Sequence, residues 1–142
     1  MSDPARSTVV LDSSALVALL TDSGRLGDWV ADAVAGAILA APHLLPFETA
    51  NILRRQQLGR EIDVSAATLA HADLLALPVQ LWPYSLLAER VWQLRANVTC
   101  YDAAYVALAE MLGGSVVTLD ERLGRAPGLR CPIEVPPFPV AG

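Results

Sequence analysis

The stretch Thr8–Leu20, "TVVLDSSALVALL", decides the fold. Thr8–Leu11 read as a buried strand, and Ala15–Leu20 as a helix packing back on it. Asp12, Ser13 and Ser14 form a tight junction between the two. A carboxylate set into an otherwise apolar run is costly to bury, so its presence there calls for a reason.

The same alternation continues outward. "AILAA" (37–41), "PVQLW" (78–82) and "SVVTL" (115–119) read as further buried strands, and "CPIEV" (131–135) as a weaker edge strand. Between them lie helical patterns. Ala67, Ala70, Leu74 and Leu77 recur at helical spacing in 64–77, and Leu87, Val91 and Leu94 do so in 86–96. "LLPFETANILRRQQLG" (44–59) and "YDAAYVALAEMLGG" (101–114) are helices closed by glycine. Strands alternating with helices imply a mainly parallel sheet covered on both faces. The chain of 142 residues then reads as one α/β domain over 1–142, with a core of about 8–135 and a proline-rich tail, 136–142, that forms no regular structure.

In such sheets ligands gather beyond the carboxyl ends of the strands. Asp12 and Asp120 each follow a strand directly. Glu48 is placed in the first turn of the 44–59 helix, where Pro46 is tolerated, and Asp102 in the first turn of the 101–113 helix. Each acid also has a purely local reading. Asp12 and Asp120 suit helix N-caps, Thr99-x-x-Asp102 resembles a capping box, and Glu48 suits the positive end of a helix dipole. Four acids at one rim with few basic partners, however, must protonate or hold a cation. An all-oxygen ligand set favours Mg²⁺ or Mn²⁺ over Zn²⁺. His43 and His71 lack ligand spacing to each other. Glu48, Asn51 and Arg55 fall on one polar face of their helix, readable as a solvated face or as a ligand face backed by an arginine.

Composition bounds the rest. The chain is 54% hydrophobic and 18% charged, which is globular rather than disordered. Cys100 and Cys131 fall in no CxxC pattern and suit a reduced, cytoplasmic protein, although a disulfide between them remains open. The interrupted apolar stretch near the N-terminus does not read as a signal peptide, and no segment reaches the ~20 apolar residues of a membrane span. The net charge of −5 argues against a general affinity for nucleic acid. All ten basic residues are arginine. The missing lysine weighs against receiver-type and haloacid-dehalogenase-type phosphotransfer domains. No GxxxxGK or GxGxxG follows a strand, which weighs against nucleotide binding.

"VVLDSSALVALL", "LLPFETANILRR", "TCYDAAYVALAEMLGG" and "VVTLDERLGRAP" resemble, in order and spacing, the PIN-domain ribonucleases, most closely the VapC toxins of VapBC toxin–antitoxin pairs. The resemblance runs from about residue 8 to residue 128. It implies a single PIN domain with a Rossmann-like sheet of strand order 3-2-1-4-5. It also implies the toxin of a type II toxin–antitoxin system, a Mg²⁺- or Mn²⁺-dependent endoribonuclease. Asp12, Glu48, Asp102 and Asp120 fall on the family's acidic positions, and Ser14 and Thr118 on its hydroxyl positions. Asn51 and Arg55 match the polar residues after the helix acid. By this resemblance Asp12, Asp102 and Asp120 hold one or two ions, while Glu48 ligates through water or orients the nucleophile. Glu121 is the only acid available for an additional position. Arg54, Arg55, Arg90, Arg95 and Arg122 would form a basic rim for RNA or for the antitoxin. The resemblance further implies a VapB-like antitoxin whose tail covers the acidic site and wraps apolar helices within 13–40 and 44–58, and a toxin homodimer. A PIN-like module that binds RNA or protein without cutting is the alternative.

Overall fold

A computed structural model describes residues 6–140. Thr8–Leu11 form β1, followed at once by α1 (Ser13–Thr21) and α2 (Arg25–Val34). Then come β2 (Ile38–Pro42), α3 (Leu44–Leu58), α4 (Val64–Ala76) and β3 (Val79–Trp82). A single 3-10 turn (Tyr84–Leu86) leads into α5 (Ala88–Leu94) and α6 (Cys100–Leu112). The chain finishes with β4 (Ser115–Val117), α7 (Glu121–Arg125) and β5 (Ile133–Glu134).

The five strands are all parallel, in the order β3-β2-β1-β4-β5, as the resemblance implies. Val9, Val10 and Leu11 are buried in succession. Because neighbouring side chains on a strand point to opposite faces, both faces of β1 are covered. Helix α6 packs directly across β1, β2 and β4. Its residues Ala103–Ala109 are all buried, so it has no water-facing stripe and behaves as an interior helix. Helix α1 packs instead against α2, α3 and α4.

The handover from α6 to β4 depends on a glycine pair. Gly113 caps α6 with φ +68°, in the left-handed region, and the Gly114 N–H donates to the Ala109 carbonyl at 2.9 Å. A Cβ on Gly114 would lie 2.4 Å from the Thr8 carbonyl oxygen. Only a residue without a side chain lets β4 start this close to β1.

Several details differ from the sequence reading. Helix α2 was not separated from the 13–40 segment, although Leu26, Trp29, Val30 and Ala33 recur at helical spacing. The single helix expected over 86–96 is a 3-10 turn after Pro83 and then a shorter α5. β3 is not a buried strand: it lies at the sheet edge, with Gln80 and Leu81 exposed. β4 ends at Val117 rather than Leu119: the Thr118 N–H still donates to the Glu134 carbonyl of β5 at 3.1 Å, but the Leu119 N–H turns away to the Ser14 hydroxyl. Glu48 is the fifth residue of α3, just past the first turn. The tail forms no helix or strand over 135–140, and Arg25 stacks on the Phe138 ring at 3.7 Å. Ala141 and Gly142, also assigned to that tail, lie outside the described residues. Cys100 and Cys131 are free thiols. No helix among the described residues is long and apolar enough to cross a membrane.

Candidate active site

Strand register builds the inner half of the site. Leu11 pairs with Val117, so the next residues, Asp12 and Thr118, emerge side by side at the carboxyl edge of the sheet. The Asp12 N–H donates to the Val117 carbonyl at 3.2 Å, which fixes its backbone. Asp12 then serves as the N-cap of α1, its Oδ1 accepting from the Ala15 N–H at 2.9 Å and from the Ser14 hydroxyl at 2.7 Å. The Thr118 hydroxyl donates to Oδ2. Ser14 Oγ and Thr118 Oγ1 accept in turn from the Leu119 and Asp120 N–H groups, each at 3.1 Å. Ser14 and Thr118 therefore hold the Asp12 carboxylate and tie the ends of β1 and β4 together.

This arrangement is electrostatically unfavourable for Asp12. Burial pushes its carboxyl up to about 6, with hydrogen bonds from Thr118, Ala15 and Ser14 opposing the rise and the charge of Asp102 adding to it. Asp102 is also raised, first by burial and then by Asp120. Asp12, Asp102 and Asp120 thus form a chain of mutually repelling acids. Among the described residues no three acidic, histidine or cysteine side chains stand together as a ready-made metal cage. Asp120, for its part, is turned toward a basic neighbour.

That neighbour is Arg122. Asp120 N-caps α7, accepting from the Arg122 N–H at 2.9 Å, while the guanidinium reaches both carboxylate oxygens at 3.2 and 3.4 Å. Burial alone would raise Asp120, but these contacts overcome it and hold its carboxyl below the usual range. Asp102 sits on the first turn of α6, its N–H donating to the Thr99 hydroxyl at 3.1 Å. The N-cap readings of Asp12 and Asp120 are realised, whereas Thr99 caps α6 without the return bond to the Asp102 carboxylate that would complete a capping box. Capping engages Asp12 Oδ1 and Asp120 Oδ1, and in Asp102 only the backbone.

Glu48 reaches the site from α3. Its Oε1 accepts from the Tyr105 hydroxyl at 2.6 Å. Tyr105 is buried, and burial, then the hydrogen bond to Glu48, pushes its phenol far above the usual range, so it stays protonated and donates. Sequence reasoning missed this residue. Its signal was the one hydroxyl in the buried run Ala103–Ala109, three residues after Asp102 on the same face of α6.

The remaining candidates spread out. Asn51 is exposed on α3, one turn beyond Glu48. Arg55 lines a cavity with Ser14, Val17, Ile52 and Leu119, whereas Arg54 lies in the groove between α3 and α4 beside Ala67 and His71. Glu121 is exposed and faces Arg125 at 3.8 Å. Arg90 grips Glu110 at 2.7 Å and the Gly128 carbonyl at 2.8 Å, which pins the 126–130 loop to α6. Arg95 and Arg122 line the same cavity as Asp102 and Asp120.

Comparison with known proteins agrees with this architecture. The sequence model of the PIN domain family matches residues 9–129. Ribonuclease VapC1 of Mycobacterium tuberculosis is 42% identical over 127 residues, spanning 89% of this chain and 96% of its own length. The crystal structure of PAE2754 from Pyrobaculum aerophilum superposes with a TM-score of 0.67 at 26% identity, over 91% of this chain and 84% of that one. VapBC2 from Rickettsia felis, bound to a DNA fragment from its promoter, superposes with a TM-score of 0.60 at 11% identity. That structure covers 90% of this chain and 98% of the matched one, and shows likeness of fold.

Proposed function

The chain belongs to the PIN-domain family, within the group of VapC ribonucleases, and from that premise we propose that it is a metal-dependent endoribonuclease acting as a toxin in the cytoplasm. The observation that carries this reading is Asp12, buried at the β1–β4 switch, held by Ser14 and Thr118 and set against Asp102. A carboxylate buried and clamped beside another acid is neutralised by a proton or by a cation, and near neutral pH a cation can take the proton's place. The donor set is all oxygen, so it fits a hard divalent ion.

Asp12, Asp102 and Asp120 would hold Mg²⁺ or Mn²⁺, one or two ions, whose chemistry is to polarise the attacking water and offset the charge of the scissile phosphate. Ser14 and Thr118 keep the Asp12 carboxylate aimed, and Tyr105 does the same for Glu48. With Oε1 committed to Tyr105, Glu48 would have Oε2 left to orient the attacking water. Asn51, one turn on, extends that polar face toward the substrate.

The partners follow from two apolar surfaces. Val17, Ala18, Leu26 and Ile52 line a cavity that ends at Ser14 and Arg55, suited to the tail of a VapB-like antitoxin lying across α1 and α3. Phe47, Tyr84 and Tyr101 are exposed around a second groove of about 360 Å³, which the buried Pro42, Leu87 and Ala104 also line. So much uncovered aromatic surface suits a second copy of the toxin.

The purified chain should cut RNA with Mg²⁺ or Mn²⁺ and not in EDTA, and its expression without antitoxin should arrest growth. Asp102→Asn should abolish both while leaving the fold intact. A wild-type chain that cut no RNA with either ion, and bound it equally well with and without Asp102, would instead be a non-catalytic binding module.

A further inference from the structure

A cleft of about 500 Å³ opens beside Asp102 and Asp120, walled by Arg95, Asn97, Thr99 and Arg122. Asn97 braces its far side by donating to the Pro127 carbonyl at 3.0 Å. With a net charge of −5, most of the surface repels a phosphodiester backbone, so RNA needs a local concentration of cations.

Most of the arginines are occupied elsewhere. Arg6 donates to the Gly36 and Ala37 carbonyls, Arg25 stacks on Phe138, Arg90 is bound to Glu110, and Arg125 faces Glu121. Arg54 and Arg55 line other grooves. Arg95 and Arg122 share a cavity with two of the four acids. Arg95 stacks on the exposed Trp92 ring at 4.4 Å and donates to the Trp92 carbonyl at 2.6 Å, which holds its guanidinium at the cleft. Arg122 is 85% exposed and, among the described residues, bound to Asp120 alone, so it can swing without disturbing the core.

We propose that this cleft is the track for the RNA strand adjoining the scissile phosphate, with Arg95 and Arg122 holding flanking phosphates, and that Arg122 leaves Asp120 for phosphate when the acids take up a cation. The proposal rests on the ribonuclease reading above. A strand with one phosphate at the acids must pass its neighbouring phosphates along an adjoining wall, and this wall carries the two arginines. Asp120 cannot serve Arg122 and a divalent ion at full strength together. A guanidinium matches a phosphate in the same forked geometry as a carboxylate, so Arg122 has a second partner ready.

The test measures anisotropy of a labelled single-stranded RNA in the presence of Mn²⁺, before cleavage proceeds, in a Glu48→Gln background, which slows cutting and keeps Asp12, Asp102 and Asp120 for the cation. Arg95→Ala and Arg122→Ala should each weaken RNA binding about tenfold, the scale of one charge-assisted contact. Each should also flatten the salt dependence by about 0.7 in log–log slope. Arg25→Ala, at the start of α2 against Phe138, should leave both quantities unchanged. By calorimetry in the otherwise native chain, Arg122→Ala should bind Mn²⁺ several-fold more tightly, and Arg95→Ala should bind it as the wild type does. Unchanged RNA affinity and slope in the Arg95→Ala/Arg122→Ala double variant would overturn the track. Unchanged Mn²⁺ affinity in Arg122→Ala would overturn the exchange. If the double variant binds RNA normally while the native chain still cuts it, only the track falls. If the native chain cuts nothing yet its RNA binding depends on both arginines, the track stands and the nuclease reading falls.

Discussion

The inner and outer halves of the acidic site face opposite electrostatic problems. The inner half, Asp12 with Ser14 and Thr118 and Glu48 with Tyr105, is locked by hydrogen bonds, and Asp12 ionises reluctantly. In the outer half, Asp120 is half-buried, already matched by Arg122, and ionises readily. The inner acids lack a counter-charge and the outer one must release its own. An arriving cation therefore gains most from Asp12 and has to compete for Asp120. The arrangement is rigid where a ligand has to be aimed and movable where substrate has to enter.

Removing the inner charge tests this contrast most strongly. Asp12→Asn should reduce RNA cleavage by at least about a thousandfold, about 4 kcal/mol of transition-state stabilisation, in a single-turnover assay with Mn²⁺. Wild-type activity in this variant would mean that the inner half is only a helix cap.

A second prediction concerns pH. Asp12 binds its proton more tightly folded than unfolded, so rising pH ionises the unfolded chain first and stability falls from about pH 4 to about pH 6. The loss from Asp12 alone is about 3 kcal/mol. Asp120 and Glu110 are lowered, so their contributions are present above their unfolded values and vanish only in stronger acid. Urea unfolding in EDTA should therefore show maximal stability near pH ~4–5, and Mn²⁺ should remove the decline toward neutrality. A metal-free stability that rose between pH 4 and 7 would contradict the inner-half picture.

Tyr105→Phe leaves Glu48 without its donor while keeping the ring in the core. Cleavage should drop about 10–100-fold, as for loss of an orienting partner, with an unchanged circular dichroism spectrum. An equal loss in Glu48→Gln and in the double variant would show that the two residues act as one unit. The smallest effect is expected away from both halves. Glu110→Gln weakens the clamp that Arg90 and the Arg130 N–H place on it and should lower stability by about 1–2 kcal/mol, with per-molecule cleavage preserved.

Much of the fold was legible because its signals are local. The strand at Thr8–Leu11, the parallel alternation and the glycine stop after α6 follow from backbone preference and side-chain period over a few residues. So does the presence of an acid directly after β1 and after the Val116–Leu119 stretch. Helix α2 was missed because it is amphipathic, with Arg25, Asp28 and Asp32 among its ten residues, and so does not show as an apolar run. Leu81 misled because a β-branched and aromatic strand reads the same at an edge as in the centre.

The sequence by itself determined the order of elements and which carboxylates stand at strand ends and helix starts. Tertiary structure alone decided who touches whom. Thr118 meets Asp12 across 106 residues and Tyr105 meets Glu48 across 57. Arg90 is spent on Glu110 while Arg95 and Arg122 reach the cleft. Helix and strand periods fix only the direction a side chain leaves its own element. Its partner depends on sheet register and helix packing, which are set by contacts between residues far apart in the chain.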